Sequence, residues 1–493
     1  MANPDSVNLA VAVESHDPTR PALHVGQRTM SYGELVQRAA TARSGLRAAG
    51  VEAGDRVAIV APNGEAFPIC LLAVWGLGAV AVPLNPLSPT PELSRELDFT
   101  APRLALLGPS RQPVASLGEV PTFHLADLEA QGASPLPVGE EPPPPLEQDP
   151  DALAVLLFTA GTAGRPKAAM LTHGNLTWVQ RALQDEGLGG VGADDVSLGV
   201  LPFFHVFGLN VSLCAVLRAG GSVVVEDHFD PVDAVADVER HGVTVIAGAP
   251  PMWRRWALAE SLPSDALKGV RRATSGAAPL PLEVFEAVRD RFGVEVAEGY
   301  GLTETSPVVT TNMGAEIRPG SVGRPLPGVE VRLVDTDGED ALPGDPGEVW
   351  VRGPNVFAGY WQDEEATAAV LDPEGWFRTG DVAVEEDGYL YLVDRMKDLI
   401  IVSGFNVYPA EVEAVLAAHP AVGGAVVVGE DDPETGERIV AYVTGVAGNA
   451  PDSDQVAAWA HSELARYKWP SVIHVVDELP ISDTGKAIRR RLR

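Results

Sequence analysis

Short apolar runs alternating with helix-patterned stretches constrain this chain most. Arg56–Val60 and Ala79–Val82 read as short buried strands, whereas Tyr32–Gly50 and Ile69–Leu77 carry helical spacing. Such alternation predicts an α/β layer around a largely parallel sheet. The pattern breaks near residues 135–150, where Pro142 to Pro145 stand in a row and mark a surface connector. It resumes with the buried strand Ala154–Phe158. Val329–Val334, Val349–Val351 and Tyr389–Val393 follow as strands with few helices between them, which predicts a small β-barrel or antiparallel sheet. After Asp394 a helix at Pro409–His419, strands at Ala425–Val428 and Ile439–Val443 and a helix near Gln455–Arg466 form a separate small α+β domain. A chain of 493 residues needs such subdivision, because single cores stop growing at about 250–300 residues.

Charge and cysteine content narrow the function. The net charge is -32, from 36 basic and 68 acidic residues, so no basic face for nucleic acid is expected. The basic run Arg489–Arg493 reads as a solvated tail. Cys70 and Cys214 stand alone in apolar stretches, which excludes a disulfide framework or a cysteine zinc site and fits a reducing cytoplasm. Met1–Val13 lacks the basic residue of a signal peptide. Ile69–Val82 falls short of the roughly 20 residues of a membrane span and is interrupted by Gly76 and Gly78.

Four motifs carry chemistry. The first is Thr159-Ala160-Gly161-Thr162-Ala163-Gly164-Arg165-Pro166-Lys167, directly after a buried strand. Glycines let backbone N–H groups converge on an anion, two threonines offer hydroxyls and Lys167 adds charge; a Gly-rich surface turn is the plainer alternative. The second is Gly299-Tyr300-Gly301-Leu302-Thr303-Glu304-Thr305. Its ring is exposed enough to stack on a base, and Thr303 and Glu304 suit a phosphate oxygen and Mg²⁺. A helix N-cap by Thr303 is the alternative. The third joins Thr379-Gly380-Asp381, suited to ribose hydroxyls, with Asp394-Arg395-Met396-Lys397-Asp398. The fourth is Ser482-Asp483-Thr484-Gly485-Lys486.

Taken in this order over more than three hundred residues, the motifs resemble the adenylate-forming superfamily of acyl-CoA synthetases, 4-coumarate–CoA ligases, peptide-synthetase adenylation domains and firefly luciferases. Pro202-Phe203-Phe204-His205, Ser275-Gly276-Ala277-Ala278-Pro279 and Gly347-Glu348-Val349 extend the resemblance over nearly the whole chain. It implies a large N-terminal domain (residues 1–394) of two α/β subdomains plus a small β-barrel. A hinge at 395–397, centred on Lys397, would lead to a small mobile α+β cap at 398–493.

The resemblance also implies chemistry: a carboxylic acid attacks ATP to give an acyl-adenylate and pyrophosphate, then a thiol displaces AMP. Lys486 would stabilise the charge that develops in the first step. Thr159, Gly161, Thr162, Gly164 and Lys167 would hold phosphates. Ala277, Ala278, Gly299, Tyr300, Thr303, Asp381 and Arg395 would hold the nucleoside and its first phosphate, and Glu304 would hold Mg²⁺. His205 would gate or orient the acyl group, with a packed aromatic-cluster histidine as the alternative. Phe204, Trp253, Ala277, Gly301 and Leu302 would wall the acyl pocket, and Gly404 would line a thiol tunnel. Three positions depart from the family pattern: Ala160 and Ala163 replace hydroxyl residues and Ala168 replaces glycine.

A fatty or aryl acid fits best, since Phe203–Phe207 lacks the aspartate that peptide-synthetase domains place there. No carrier segment follows Lys486, so coenzyme A is the expected acceptor. An acyl-AMP ligase that loads a carrier protein and a catalytically impaired acyl- or nucleotide-binding homologue stay open, as does a homodimer.

Overall fold

The computed structural model describes residues 3–109, 117, 119–132, 143–159, 167–395, 400–402, 405–407, 409–432, 436–446, 450–464, 466–480 and 492. Its contacts divide into two compact units, Met1–Glu330 with Arg352–Phe377 and Val331–Val351 with Arg378–Arg493.

The first unit holds two sheets. One runs Thr122–His124, Leu104–Leu107, Arg56–Val60, Val80–Leu84, Leu153–Thr159, Lys167–Thr172; its first five strands are parallel and the last turns back antiparallel. The other has nine strands. Val296–Tyr300, Arg272–Ser275, Val245–Gly248, Val196–Gly199, Ser222–Val225 and Pro21–Val25 form its parallel centre. Antiparallel strands finish both edges. Two parallel sheets with helices between their strands are the predicted pair of α/β subdomains.

Packing follows from patterning. Every residue of the helix Ala66–Gly76 is buried, as expected of a helix apolar on all sides. Trp75 donates its indole N–H to the Ala154 carbonyl at 2.8 Å, which ties that helix to the strand ending at Thr159. A π-helix at Phe207–Cys214 follows His205. Asn210 inside it donates to the carbonyls of Leu176 (3.2 Å) and Ser306 (2.7 Å) and accepts from Gln180 (2.7 Å). One fully buried amide thereby fixes the π-helix to the segment after Thr303–Thr305.

In the second unit the expected barrel is replaced by an open four-stranded sheet in the order Glu330–Val334, Gly347–Arg352, Phe377–Glu386, Tyr389–Arg395. Its first and last strands lie at opposite edges, and four strands are too few to close around packed side chains. The small α+β fold does form. The Gly436–Gly445 strand pairs antiparallel with Val422–Asp432 and parallel with Val472–Val475. Val412 and Leu416 of one helix and Val456 and Ala460 of another join Val427 and Ala441 in its core. Among the described residues no helix is long and apolar enough to cross a membrane.

Replacing Asn210 by alanine leaves two buried carbonyls and an amide without this partner. The expected cost is about 2–3 kcal/mol, measurable as a lower midpoint of the first unit's unfolding transition in urea.

Candidate active site

The strand Leu153–Thr159 and the returning strand Lys167–Thr172 bring Thr159 and Lys167 opposite each other as Cα partners. The loop between them lies outside the described residues, so Ala160, Gly161, Thr162, Ala163 and Gly164 are not placed. Ala168 is placed. It is fully buried among Leu156, Val82 and other apolar groups, and its carbonyl accepts from Trp361 N–H at 2.8 Å. The methyl group that departs from the family glycine is thus core packing.

The segment Phe357–Trp361 lies along this returning strand. Ala169 bridges antiparallel to Tyr360, Met170 N–H donates to the Gly359 carbonyl and Ala358 N–H donates to the Met170 carbonyl, both at 2.9 Å. Tyr360 thereby reaches two candidate residues at once. Its ring lies 4.9 Å from the Lys167 ammonium, and its hydroxyl donates to Glu304 Oε1 at 2.8 Å. Burial, then the adjacent Glu304 carboxylate, push the Tyr360 phenol far above its usual range, so it stays a donor at all ordinary pH.

Glu304 sits in a 3-10 turn, Thr303–Thr305, that follows the strand Val296–Tyr300. It is 8% exposed, and Phe357 N–H donates to its backbone carbonyl at 2.9 Å. Thr303 does not cap this turn; Leu302 occupies the cap position and Thr305 Oγ1 accepts from Leu302 N–H at 2.9 Å. Gly301 allows the turn to close, since a Cβ there would lie 1.5 Å from the Pro307 carbonyl oxygen. Tyr300 is buried within its strand, at 8% exposure, and is less open than its two flanking glycines suggested.

Ala277 and Ala278 follow the C-terminal end of the strand Arg272–Ser275, the end at which open α/β sheets take ligands. Ala277 is exposed and holds φ at 71°, the left-handed region that a Cβ disfavours. A buried carboxylate fixes this loop: Glu298 accepts from Leu280 N–H at 2.9 Å and from Gly320 N–H at 3.2 Å. Burial raises the Glu298 pKa, and the two N–H donors work against that. The Phe207 ring covers Gly276, where a Cβ would meet it at 3.1 Å. His205 is exposed, with its ring 4.6 Å from that of Phe204. Trp253 lies elsewhere than an open wall. It is fully buried beneath Gly248, with its ring tilted against that of Trp256 at 5.3 Å, because its helix turns it into the core.

In the second unit, Asp381 is 6% exposed and pairs by backbone register with Arg395. Its N–H donates to Thr379 Oγ1 at 3.0 Å, and Gly380 N–H donates to Glu348 Oε1 at 3.0 Å. The Gly347-Glu348-Val349 motif therefore buttresses the Thr379-Gly380-Asp381 segment of its neighbouring strand. Arg395 is described in its backbone only, and Lys397, Gly404 and Lys486 lie outside the described residues. Sequence reasoning missed Tyr360, Glu298 and the buttress role of Glu348. Each acts through a contact with a segment distant in sequence, and the only local signal was the Gly359-Tyr360-Trp361 run after a predicted strand.

Comparisons with known proteins agree with the motifs. Residues 10–361 match the AMP-binding enzyme family and residues 411–486 match its C-terminal domain. A feruloyl-CoA synthase of Amycolatopsis sp is 38% identical over 97% of this chain and 96% of its own length. The long-chain-fatty-acid–CoA ligase of Bacillus subtilis (strain 168) is 32% identical over 96% of this chain and 91% of its own. The crystal structure of ATP-bound MatB from Rhodopseudomonas palustris superposes with a TM-score of 0.91 at 32% identity, covering 99% of this chain and 98% of that one. The chain belongs to the AMP-binding enzyme family, and the adenylate-forming resemblance read from its motifs holds.

Glu298→Gln should leave one of the two N–H groups without an acceptor and loosen the Ala277–Pro279 loop. The KM for ATP is expected to rise about tenfold, from one weakened charged hydrogen bond, with a lowered melting temperature; steady-state kinetics and thermal melting check both.

Proposed function

We propose that this AMP-binding enzyme is an acid–CoA ligase whose acid is aromatic. It is an AMP-forming ligase working in two steps. A carboxylate oxygen attacks the α-phosphorus of ATP, the bond to the bridging oxygen breaks and pyrophosphate leaves. The CoA sulfur then attacks the acyl carbonyl and AMP departs with the bonding electrons. The observation that carries this reading is the convergence of Lys167, Glu304 and Tyr360 from three separate segments, with Thr159 paired opposite Lys167.

Lys167 supplies a fixed positive charge for the departing phosphates. Glu304 offers a buried carboxylate and Thr159 a hydroxyl, hard oxygen donors of the kind Mg²⁺ takes. No cluster of three or more His, Cys, Asp or Glu able to hold a metal exists among the described residues, which suits an ion bound mainly through ATP phosphates. Mg²⁺, when bound, neutralises charge on those phosphates. Lys486 is assigned the transition-state charge on the reacting carboxylate and α-phosphate, and Asp381 the ribose hydroxyls, both from motif position. His205 orients the acyl carbonyl.

Two observations support an aromatic acid. The Phe207 ring lies against Gly276, next to the small Ala277, and the Phe204 and His205 rings pair at 4.6 Å close by in sequence, ring surface that suits planar stacking. The feruloyl-CoA synthase is also more similar to this chain than the fatty-acid ligase is. Both cysteines are free and buried, in keeping with the cytoplasm as the compartment.

AMP release with ATP, Mg²⁺, CoA and a panel of cinnamic, benzoic and fatty acids tests the reading. CoA-dependent AMP formation should be fastest with a cinnamic acid and fall by roughly 10²-fold or more in Lys486→Ala. Faster turnover of a fatty acid would overturn the aromatic assignment, and acid-dependent ATP–pyrophosphate exchange without CoA-dependent AMP formation would favour a carrier-protein acceptor.

A further inference from the structure

We propose that Tyr360 is a positioning residue for adenylation, its hydroxyl fixing the orientation of Glu304 and its ring holding the Lys167 ammonium in place. The inference rests on the adenylation reading above and extends it to a residue outside the chemistry-bearing motifs.

Tyr360 is itself held from several sides. Ala169 bridges it on the returning strand, its N–H donates to Thr367 Oγ1 at 2.8 Å, and the Phe357 ring packs edge-on at 4.9 Å. Only 8% of it is exposed. The terminal torsion of a glutamate is broad, so a carboxylate with no partner samples many orientations. The Tyr360 hydroxyl removes that freedom by engaging Oε1, which sets the direction in which Oε2 faces. The same ring, 4.9 Å from Lys167 Nζ, gives the ammonium an electrostatic seat on its face. One side chain therefore keeps the anionic and cationic members of the site apart, at a fixed spacing. A purely structural tyrosine would satisfy a buried carboxylate without affecting how the site takes a cation.

The test separates these roles. Binding of a fluorescent N-methylanthraniloyl-ATP is titrated with Mg²⁺ for wild type, Tyr360→Phe, Tyr360→Leu, Glu304→Asp and the Glu304→Asp/Tyr360→Phe double variant. Melting curves are recorded alongside, and acid-dependent ATP–pyrophosphate exchange is measured on wild type. Tyr360→Phe keeps the ring and should raise the Mg²⁺ midpoint about tenfold, the usual scale for loss of a group that orients a ligand. Affinity for the nucleotide at saturating Mg²⁺ should stay near that of wild type. Tyr360→Leu should weaken nucleotide affinity as well. Glu304→Asp draws the carboxylate away from the hydroxyl and should abolish any further effect of Tyr360→Phe on the midpoint. A Mg²⁺ midpoint unchanged in folded Tyr360→Phe, or an undiminished effect in the Glu304→Asp background, overturns the proposal. Absence of exchange in wild type with any acid would instead overturn the adenylation reading.

Discussion

A carboxylate placed inside a protein must be paired, because an isolated buried charge is severely destabilised. Glu304 meets that constraint with the Tyr360 hydroxyl, and much of the first unit's site is arranged around the pairing. The turn carrying Glu304 closes only because Gly301 has no Cβ. The segment carrying Tyr360 is held as an extra extended stretch along Lys167–Thr172. That strand begins with Lys167, so satisfying one buried acid also sets where Lys167 stands.

The parts of the fold that depend on local pattern were legible. Arg56–Val60 is the strand expected, and the helix beginning at Tyr32 starts there, with Ser31 accepting from Glu34 N–H as its cap. Proline shifted two boundaries. The strand Val80–Leu84 runs through Pro83 although proline has no ladder donor, and the helix Ala66–Gly76 takes Pro68 into its first turn, where the missing N–H had no partner to lose. The π-helix at Phe207–Cys214 gave no periodic signal of its own, because it arises from the tertiary anchoring of Asn210. The barrel expectation failed for a similar reason: three strand-like runs establish strands, whereas closure depends on which edges meet.

The site divides along the same line. Candidate residues whose chemistry is local, such as Lys167, Glu304 and Asp381, could be named from motif and order. Residues that hold them could not: Tyr360, Glu298 and Glu348 each act on a segment at least 18 residues away. Glu298 and Glu348 do comparable work in the two units: Glu298 accepts two backbone N–H groups around the Ala277 loop, and Glu348 accepts the Gly380 N–H beside Asp381. The alanine at 168 shows the reverse case, a departure from pattern that the structure absorbs as apolar packing.

Activation joins the acid's own oxygen to AMP. It is tested most directly by turning over an aromatic acid labelled with ¹⁸O in both carboxylate oxygens, with ATP and CoA, and weighing the products. AMP carrying one ¹⁸O atom and unlabelled pyrophosphate are the expected products. Label in inorganic phosphate with ADP as the nucleotide product, or unlabelled AMP, would contradict it.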